Sequence, residues 1–510
     1  MMAEISATGG RVWQGLYSSA LAQAITTAQN VLLVPLFLAA WGSEGYGRWL
    51  TLTALASYLG LLELGGQSYI GNLLAADHVR DDLEGFQKKL SEGVSCFSCL
   101  GLGGFVVVVL VLALGGRLPI LGVDGFASGE RWAFLLLAAV ALLIAVPTGL
   151  LATAYRAAGL FARGVMLTNI VRLFGLGAMT LLLVLGVKPV TFAGGLLVIG
   201  VIGTTVIALD LRRRVLACRG LDLNLAEAWR GRVYLTGAIH FWFVALAQVI
   251  KQQGVLLVLA AVVSPVAVAA YATHRMASGL VGYVASLIQG PIWPELSFLA
   301  ASGRSAELAR ATLLTVRAVV VSSGIAAMLV ATAVPPLYLL WTGRRLEFQP
   351  LLLCLFLLQA LLAAGWSTAG WSLLASNHHR PLAMWSLANA VVTIAAAVAL
   401  VGLFGVVGVA GATLLGDVVC GLAVFPRLAA GQLGISPWRM YGAMLTAGVA
   451  LVPLALVMFL AGIFLDRGWA GTVSLLAVMV LAYPTLRAAL GRAWASRAGE
   501  LAIAWTRRPA

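Results

Sequence analysis

The chain has 510 residues, of which 61% are hydrophobic and only 10% are charged. A soluble domain carries about 25% charged residues, so a water-soluble globule is excluded and lipid must be the main solvent. The net charge of +14 does not point to nucleic acid, because the basic residues sit in short loops between apolar runs, the pattern that orients a membrane protein.

A membrane-crossing helix needs about 20 mostly apolar residues. Fourteen such runs are expected, at 13–40, 48–76, 91–114, 132–154, 165–187, 190–210, 233–261, 266–298, 312–341, 348–376, 384–403, 406–425, 441–464 and 468–486. The fold class is therefore an all-α polytopic membrane protein. The longest polar connection, 211–232, is basic and follows the sixth run. It divides the chain into an N-terminal lobe at 1–210, a cytoplasmic linker at 211–232 and a second six-helix lobe at 233–425, with two further helices and a basic tail at 426–510. Of the 33 Lys and Arg residues, 22 fall on the side that also holds both termini and seven on the other. The excess predicts cytoplasmic N- and C-termini in an inner membrane.

The five cysteines, Cys96, Cys99, Cys218, Cys354 and Cys420, form no disulfide framework, and no His or further Cys accompanies the Cys96–Cys99 pair. Histidine and acidic residues are too sparse for a hydrolytic or redox centre. No G-x-x-x-x-G-K-[ST] loop is present. No enzyme activity and no cofactor are expected, and energy should come from an ion gradient or substrate supply.

The lobes show a weak internal echo. At an offset of 225, Gln23 falls on Gln248, Thr26 on Lys251 and Tyr46 on Tyr271. Two repeats of one orientation place a site near the bilayer midplane at the repeat interface. The stretch 34–65 carries Pro35, then Gly42, Tyr46 and Gly47 in a Gly-x-x-x-Tyr-Gly turn, then Glu63 shortly before Gly65. It resembles the first hairpin of polysaccharide flippases of the O-antigen (Wzx) type, within the multidrug/oligosaccharidyl-lipid/polysaccharide exporter superfamily. The stretch 291–311, with Pro294 and Ser297, is similar to the end of that family's eighth helix. Arg48 departs from the apolar residue usual after the Tyr-Gly pair. The resemblance implies two six-helix bundles around a cavity. It also implies export of an isoprenoid pyrophosphate-linked oligosaccharide by alternating access.

Polar groups inside the spans then become candidates, since a charge in the bilayer core costs about 2.5–3.5 kcal/mol on insertion scales and normally faces a cavity or a partner. On the seventh helix His240, Gln248 and Lys251 share one face at about 100° per residue. On the first, Gln23 and Thr26 belong to a polar stripe with Ser19, Thr27 and Asn30. Lys251 lies twelve residues before Val263 and Arg275 twelve after, which puts both about 18 Å from that turn. With His274 alongside, the two cations suit a diphosphate. Arg172, two turns into the fifth helix, is a candidate first contact for the headgroup. Glu63 and Asp417 are the candidate ion-coupling carboxylates, for a proton or a sodium ion.

The expected function is translocation of lipid-linked oligosaccharide for surface polysaccharide (lipopolysaccharide, O-antigen) export, with membrane lipids as surroundings and a polysaccharide polymerase as a pathway partner. A multidrug exporter of the same superfamily is a rival, although cationic drugs would favour acidic residues on helix 1, which has none. A lipid II flippase is a second, and would share the cationic residues. A membrane glycosyltransferase would want a large outer loop, and the longest here is only about 115–131.

Overall fold

The computed structural model describes residues 2–114, 128–215, 218, 220–221, 223–375 and 379–464. The fourteenth expected span (468–486), the basic tail and most of the outer loop at 115–131 lie outside them. Among the described residues there are helices and no strands. Ten helical stretches are long and apolar enough to cross a membrane. Two of these, Leu21–Val79 and Arg380–Gln432, each hold two expected spans. The chain is a multi-pass membrane protein.

The helices group into two compact units, one at Ala7–Val268 and one built on the described residues from Ala269 onward. The first contains α1 (Met2–Leu59), α2 (Gly66–Val79), α3 (Leu83–Leu114), α4 (Ser128–Ala139) and α5 (Val146–Ala157). It continues through α6 (Phe161–Val184), α7 (Pro189–Arg214), the short α8 (Leu225–Gly231), α9 (Tyr234–Val249) and α10 (Val255–Val262). The helices α9 and α10, expected in the second lobe, thus pack with the first unit; the indole of Trp242 on α9 donates to the Leu61 carbonyl at 2.9 Å. The division falls in the first turn of α11 (Pro265–Ala301).

The α1 helix is two helices joined at Gly42, whose φ of 71° breaks the α path. An L side chain is strained at that angle, so the glycine ends the first span and starts the second. A second close approach requires Gly47: a Cβ there would lie 1.7 Å from the carbonyl oxygen of Pro265. Around this hairpin Phe37, Trp41, Tyr46, Trp49 and Phe192 interlock, with Phe37–Trp41 centroids 5.1 Å apart and Trp49–Phe192 5.2 Å apart. Offset and edge-to-face ring pairs of this kind add about 0.5–1.5 kcal/mol each beyond area burial. Arg48, the residue that departs from the family pattern, pairs with Glu44 at 2.8 Å and Glu130 at 3.0 Å. It fastens the turn to the start of α4.

The other end of this unit has the main core, where Ile70, Leu74, Phe86, Leu90, Phe97, Leu150 and Leu211 are buried together. The buried Asp77 carboxylate holds Lys89 at 2.6 Å beside it. Asp210 binds Arg163 at 2.6 Å and accepts from the Tyr155 hydroxyl at 2.9 Å.

The second unit holds the rest of α11, then α12 (Ser305–Trp341), α13 (Pro350–Ala375), α14 (His379–Gly416), α15 (Phe425–Gln432), α16 (Pro437–Val449) and α17 (Val452–Phe464). Its core gathers Val316, Val320, Leu373, Phe425, Met440 and Leu451. The α14 helix repeats the device of α1: Gly405, with φ 54°, joins two spans. Among the described residues, three membrane helices carry π-helical segments, at Val140–Ala145, Ile250–Gly254 and Asp417–Leu422. Such segments are rare and often mark functional sites.

Candidate functional site

The first polar locus joins α1 to α6. Asn169 is buried and its amide donates to the Ser18 carbonyl at 3.0 Å. One turn along α6, the Arg172 guanidinium reaches the Thr26 hydroxyl at 3.5 Å, the outer limit for such a bond. A further two turns on, Gln29 approaches Met179. The α6 helix therefore runs along the polar stripe of α1, and Arg172 and Thr26, picked separately from the sequence, come together. Gln23 is half-buried nearby. The hydroxyls of Thr26 and Thr27 return to the carbonyls of Ala22 and Gln23 at 2.9 Å. That local bond satisfies each hydroxyl hydrogen and leaves its oxygen free to accept. Asn169 was not among the expected residues. Its signal was a lone amide three residues before an arginine within an apolar run.

The second locus is the break that follows α1. The chain tightens into a 3₁₀ turn at Gly60–Glu63, and Leu64 and Gly65 then adopt left-handed conformations with φ 50° and 75° before α2 begins. Leu64 at positive φ is a strained choice for a side chain with a Cβ. Non-helical backbone at membrane depth persists only where protein or a water-filled cavity meets its polar groups. Trp242 meets one, the Leu61 carbonyl. Glu63 is half-buried at this break and accepts a hydrogen bond from the Gln67 amide.

The third locus lies in the second unit. The buried Asp417 opens a π segment. Its Oδ1 accepts from the Asn389 amide at 3.0 Å and its Oδ2 from the Gln359 amide at 2.9 Å. Thr413 donates to the Gln359 carbonyl oxygen at 3.3 Å, and Thr393 to that of Asn389 at 3.2 Å. Two amides thus hold one carboxylate, and two hydroxyls in turn hold the amides, all from α13, α14 and the π segment. A buried carboxylate survives only with such partners. Sequence reasoning found Asp417 and missed the rest. The spacing of Asn389 and Thr393, and of Thr413 and Asp417, places each pair on one helix face and was the available signal.

The remaining candidates lie along the stretch from α9 to α11. Lys251 is half-buried within the π segment Ile250–Gly254, and Gln248, just before it, is exposed. The side chain of His240 lies outside the described residues. Lys251 belongs to the first unit and Arg275 to the second. The Arg275 guanidinium rests 5.4 Å from the Tyr271 ring centroid. His274 is fully buried and points elsewhere. Its Nε2 accepts from the Gln349 N–H at 3.0 Å, and its Nδ1 lies 2.7 Å from the Ala270 carbonyl. An imidazole that accepts at Nε2 and donates at Nδ1 is neutral. Stacked on Phe348 and tilted against Tyr338, it braces α11 and has no nitrogen left for a phosphate.

No family model matches the sequence, and no curated protein matches it. Solved structures do. The chain is similar to the lipid II flippase MurJ in an inward closed conformation, with a TM-score of 0.65 at 14% identity, over 92% of this chain and 98% of that one. An inward-facing multidrug resistance MATE family transporter of the MOP superfamily gives 0.59 at 15% identity, over 80% and 98%. The MATE multidrug transporter DinF-BH, solved as a complex, gives 0.57 at 16% identity, over 83% and 95%. At this identity the likeness is one of fold: the chain has the all-helical membrane fold that MurJ and the MATE transporters share.

Proposed function

We propose that the chain is a flippase for an anionic, lipid-linked saccharide, which it carries across the bilayer by alternating access. The observation that carries this reading is the meeting of the exposed Arg172 guanidinium with the half-buried Thr26 on the polar stripe of α1, between helices that are otherwise apolar. A guanidinium offers a planar fork that suits phosphate oxygens, and the α1 stripe offers hydroxyl and amide groups to a sugar. Lys251 and Arg275 are proposed as further cargo-contacting cations, each on its own helix. His274 is left out, because both its nitrogens are already bonded.

Coupling is proposed at Asp417, a buried carboxylate held by the Asn389 and Gln359 amides, with Glu63 at the broken helix as the rival proton carrier. The O-antigen type of cargo follows from the 34–65 resemblance. A second reading, with lipid II as the cargo, is supported by the extent of the fold match to MurJ.

Proteoliposomes holding fluorescent polyprenyl-diphosphate saccharide test both readings. The protein should accelerate translocation, and Arg172→Ala should reduce it about tenfold or more at unchanged protein level. Lipid II in the same assay separates the two cargoes. No translocation of either, with a drug substrate exported instead, would reject the proposal. An imposed sodium or pH gradient should change the rate. Asp417→Asn should remove that dependence, whereas loss in Glu63→Gln alone would move the coupling site to the broken helix.

A further inference from the structure

The connection between α7 and α9 carries apolar side chains where a solvated linker should be polar. Leu225 is 80% exposed, Trp229 67%, Val233 63% and Leu223 61%. Arginines surround them: Arg212, Arg213 and Arg214 end α7, and Arg230 and Arg232 follow Trp229, all exposed. The opposite face of the same segment is anchored. Leu211, Val215, Cys218 and Ala228 are buried, Gln87 donates to the Gly220 carbonyl at 2.5 Å, and a Cβ on Gly231 would lie 2.3 Å from the Glu92 carbonyl. Asn224 caps α8 by accepting from the Glu227 N–H at 2.8 Å. The exposed face is therefore a fixed surface.

We infer that this surface is a binding site for anionic phospholipid headgroups of the leaflet at which α7 ends. Three observations favour lipid over a protein partner. The segment is tied at both ends to helices long and apolar enough to cross the bilayer, α7 ending at Arg214 and the stretch from α9 into the span Ala245–Val262, which holds it close to the membrane surface. The Arg232 guanidinium lies 3.8 Å over the Trp229 ring; such a pair offers an apolar face to acyl chains and a cation at headgroup depth. Among the described residues the nearby carboxylates are engaged, Glu227 by Arg230 at 2.6 Å and Asp210 by Arg163 at 2.6 Å, and the segment 210–232 holds six arginines against three acidic residues. Exposed Trp and Leu among arginines is the composition of an interfacial element, and anionic lipid adds electrostatic attraction to apolar burial. This inference rests on the membrane fold and is independent of the cargo.

The test uses the full chain with Leu225→Cys carrying an environment-sensitive fluorophore, in nanodiscs of phosphatidylcholine with or without phosphatidylglycerol. Nitroxide-headgroup phosphatidylglycerol should quench the fluorophore more strongly than the phosphatidylcholine analogue. The preference should fall about fivefold for each arginine neutralised among Arg213→Gln, Arg214→Gln and Arg232→Gln, and should weaken with salt. If the triple variant is poorly folded, Arg232→Gln alone carries the comparison. Equal quenching by the two lipids would overturn the anionic preference. Quenching by aqueous iodide with none from either lipid would overturn the site and leave the face to a soluble partner.

Discussion

Replacing Gly47 by alanine is the sharpest available perturbation of the first hairpin. The new Cβ would sit 1.7 Å from the Pro265 oxygen and 2.4 Å from its carbonyl carbon, where real Cβ atoms essentially never come under 3.0 Å. The obstacle is backbone on both sides, so no rotamer change relieves it, and the two turns must part by about 1.3 Å, the difference between those separations. Overpacking of this kind costs about 1–3 kcal/mol. That corresponds to roughly a 5- to 150-fold shift in any equilibrium between packed and parted turns. A reporter cysteine in the partner turn, Ser264→Cys, should therefore react faster with an impermeant maleimide in the Gly47→Ala background, and the protein should melt earlier in detergent. Gly103→Ala is the control, because a Cβ there meets nothing within 4 Å. If the two alanine variants label and melt alike, the close approach at Gly47 has no energetic role and the argument fails.

Other outcomes follow from charges and thiols. Reporter cysteines replacing Arg213 and Ser264 should label from opposite sides of the membrane; labelling of both from the periplasmic side would reject the orientation read from the basic residues. Burial pushes the Cys218 thiol up to about 12. Since only the thiolate attacks, a maleimide near neutral pH should leave Cys218 intact in the folded protein and modify it after denaturation, as mass spectrometry of its peptide would record. Lys89→Ala strands the buried Asp77 carboxylate and should cost about 3–5 kcal/mol of stability. Asp77→Asn, which removes the charge, should cost less, and equal melting temperatures for both variants would contradict the ion pair's role.

The spans were legible because twenty apolar residues in a row have few alternatives to a membrane helix. Arg172 and Thr26 were legible as separate polar intrusions, but their meeting needed the packing of α6 on α1. The partners of Asp417 come from positions 28 and 58 residues away, a separation that no local pattern reports. His274 misled for a simple reason. Neighbours in a helix point about 100° apart, so the residue beside Arg275 is poorly placed to share its ligand. The stripe of His240, Gln248 and Lys251 assumed an unbroken α-helix, whereas the π segment begins at Ile250. The break at Glu63 had a visible signal in the Leu64-Gly65-Gly66 run, which reads as a turn.

The π segments have a consequence for descent. Each π turn closes its hydrogen bond one residue later than an α turn, so each holds one residue more than the same length of α-helix. Loss of one residue from Ile250–Gly254 or Asp417–Leu422 would restore a plain α-helix and leave the flanking turns facing their old neighbours. A relative without the extra residue would show one-residue gaps inside its membrane helices. An alignment that forbids them would set Asp417 against the wrong residue.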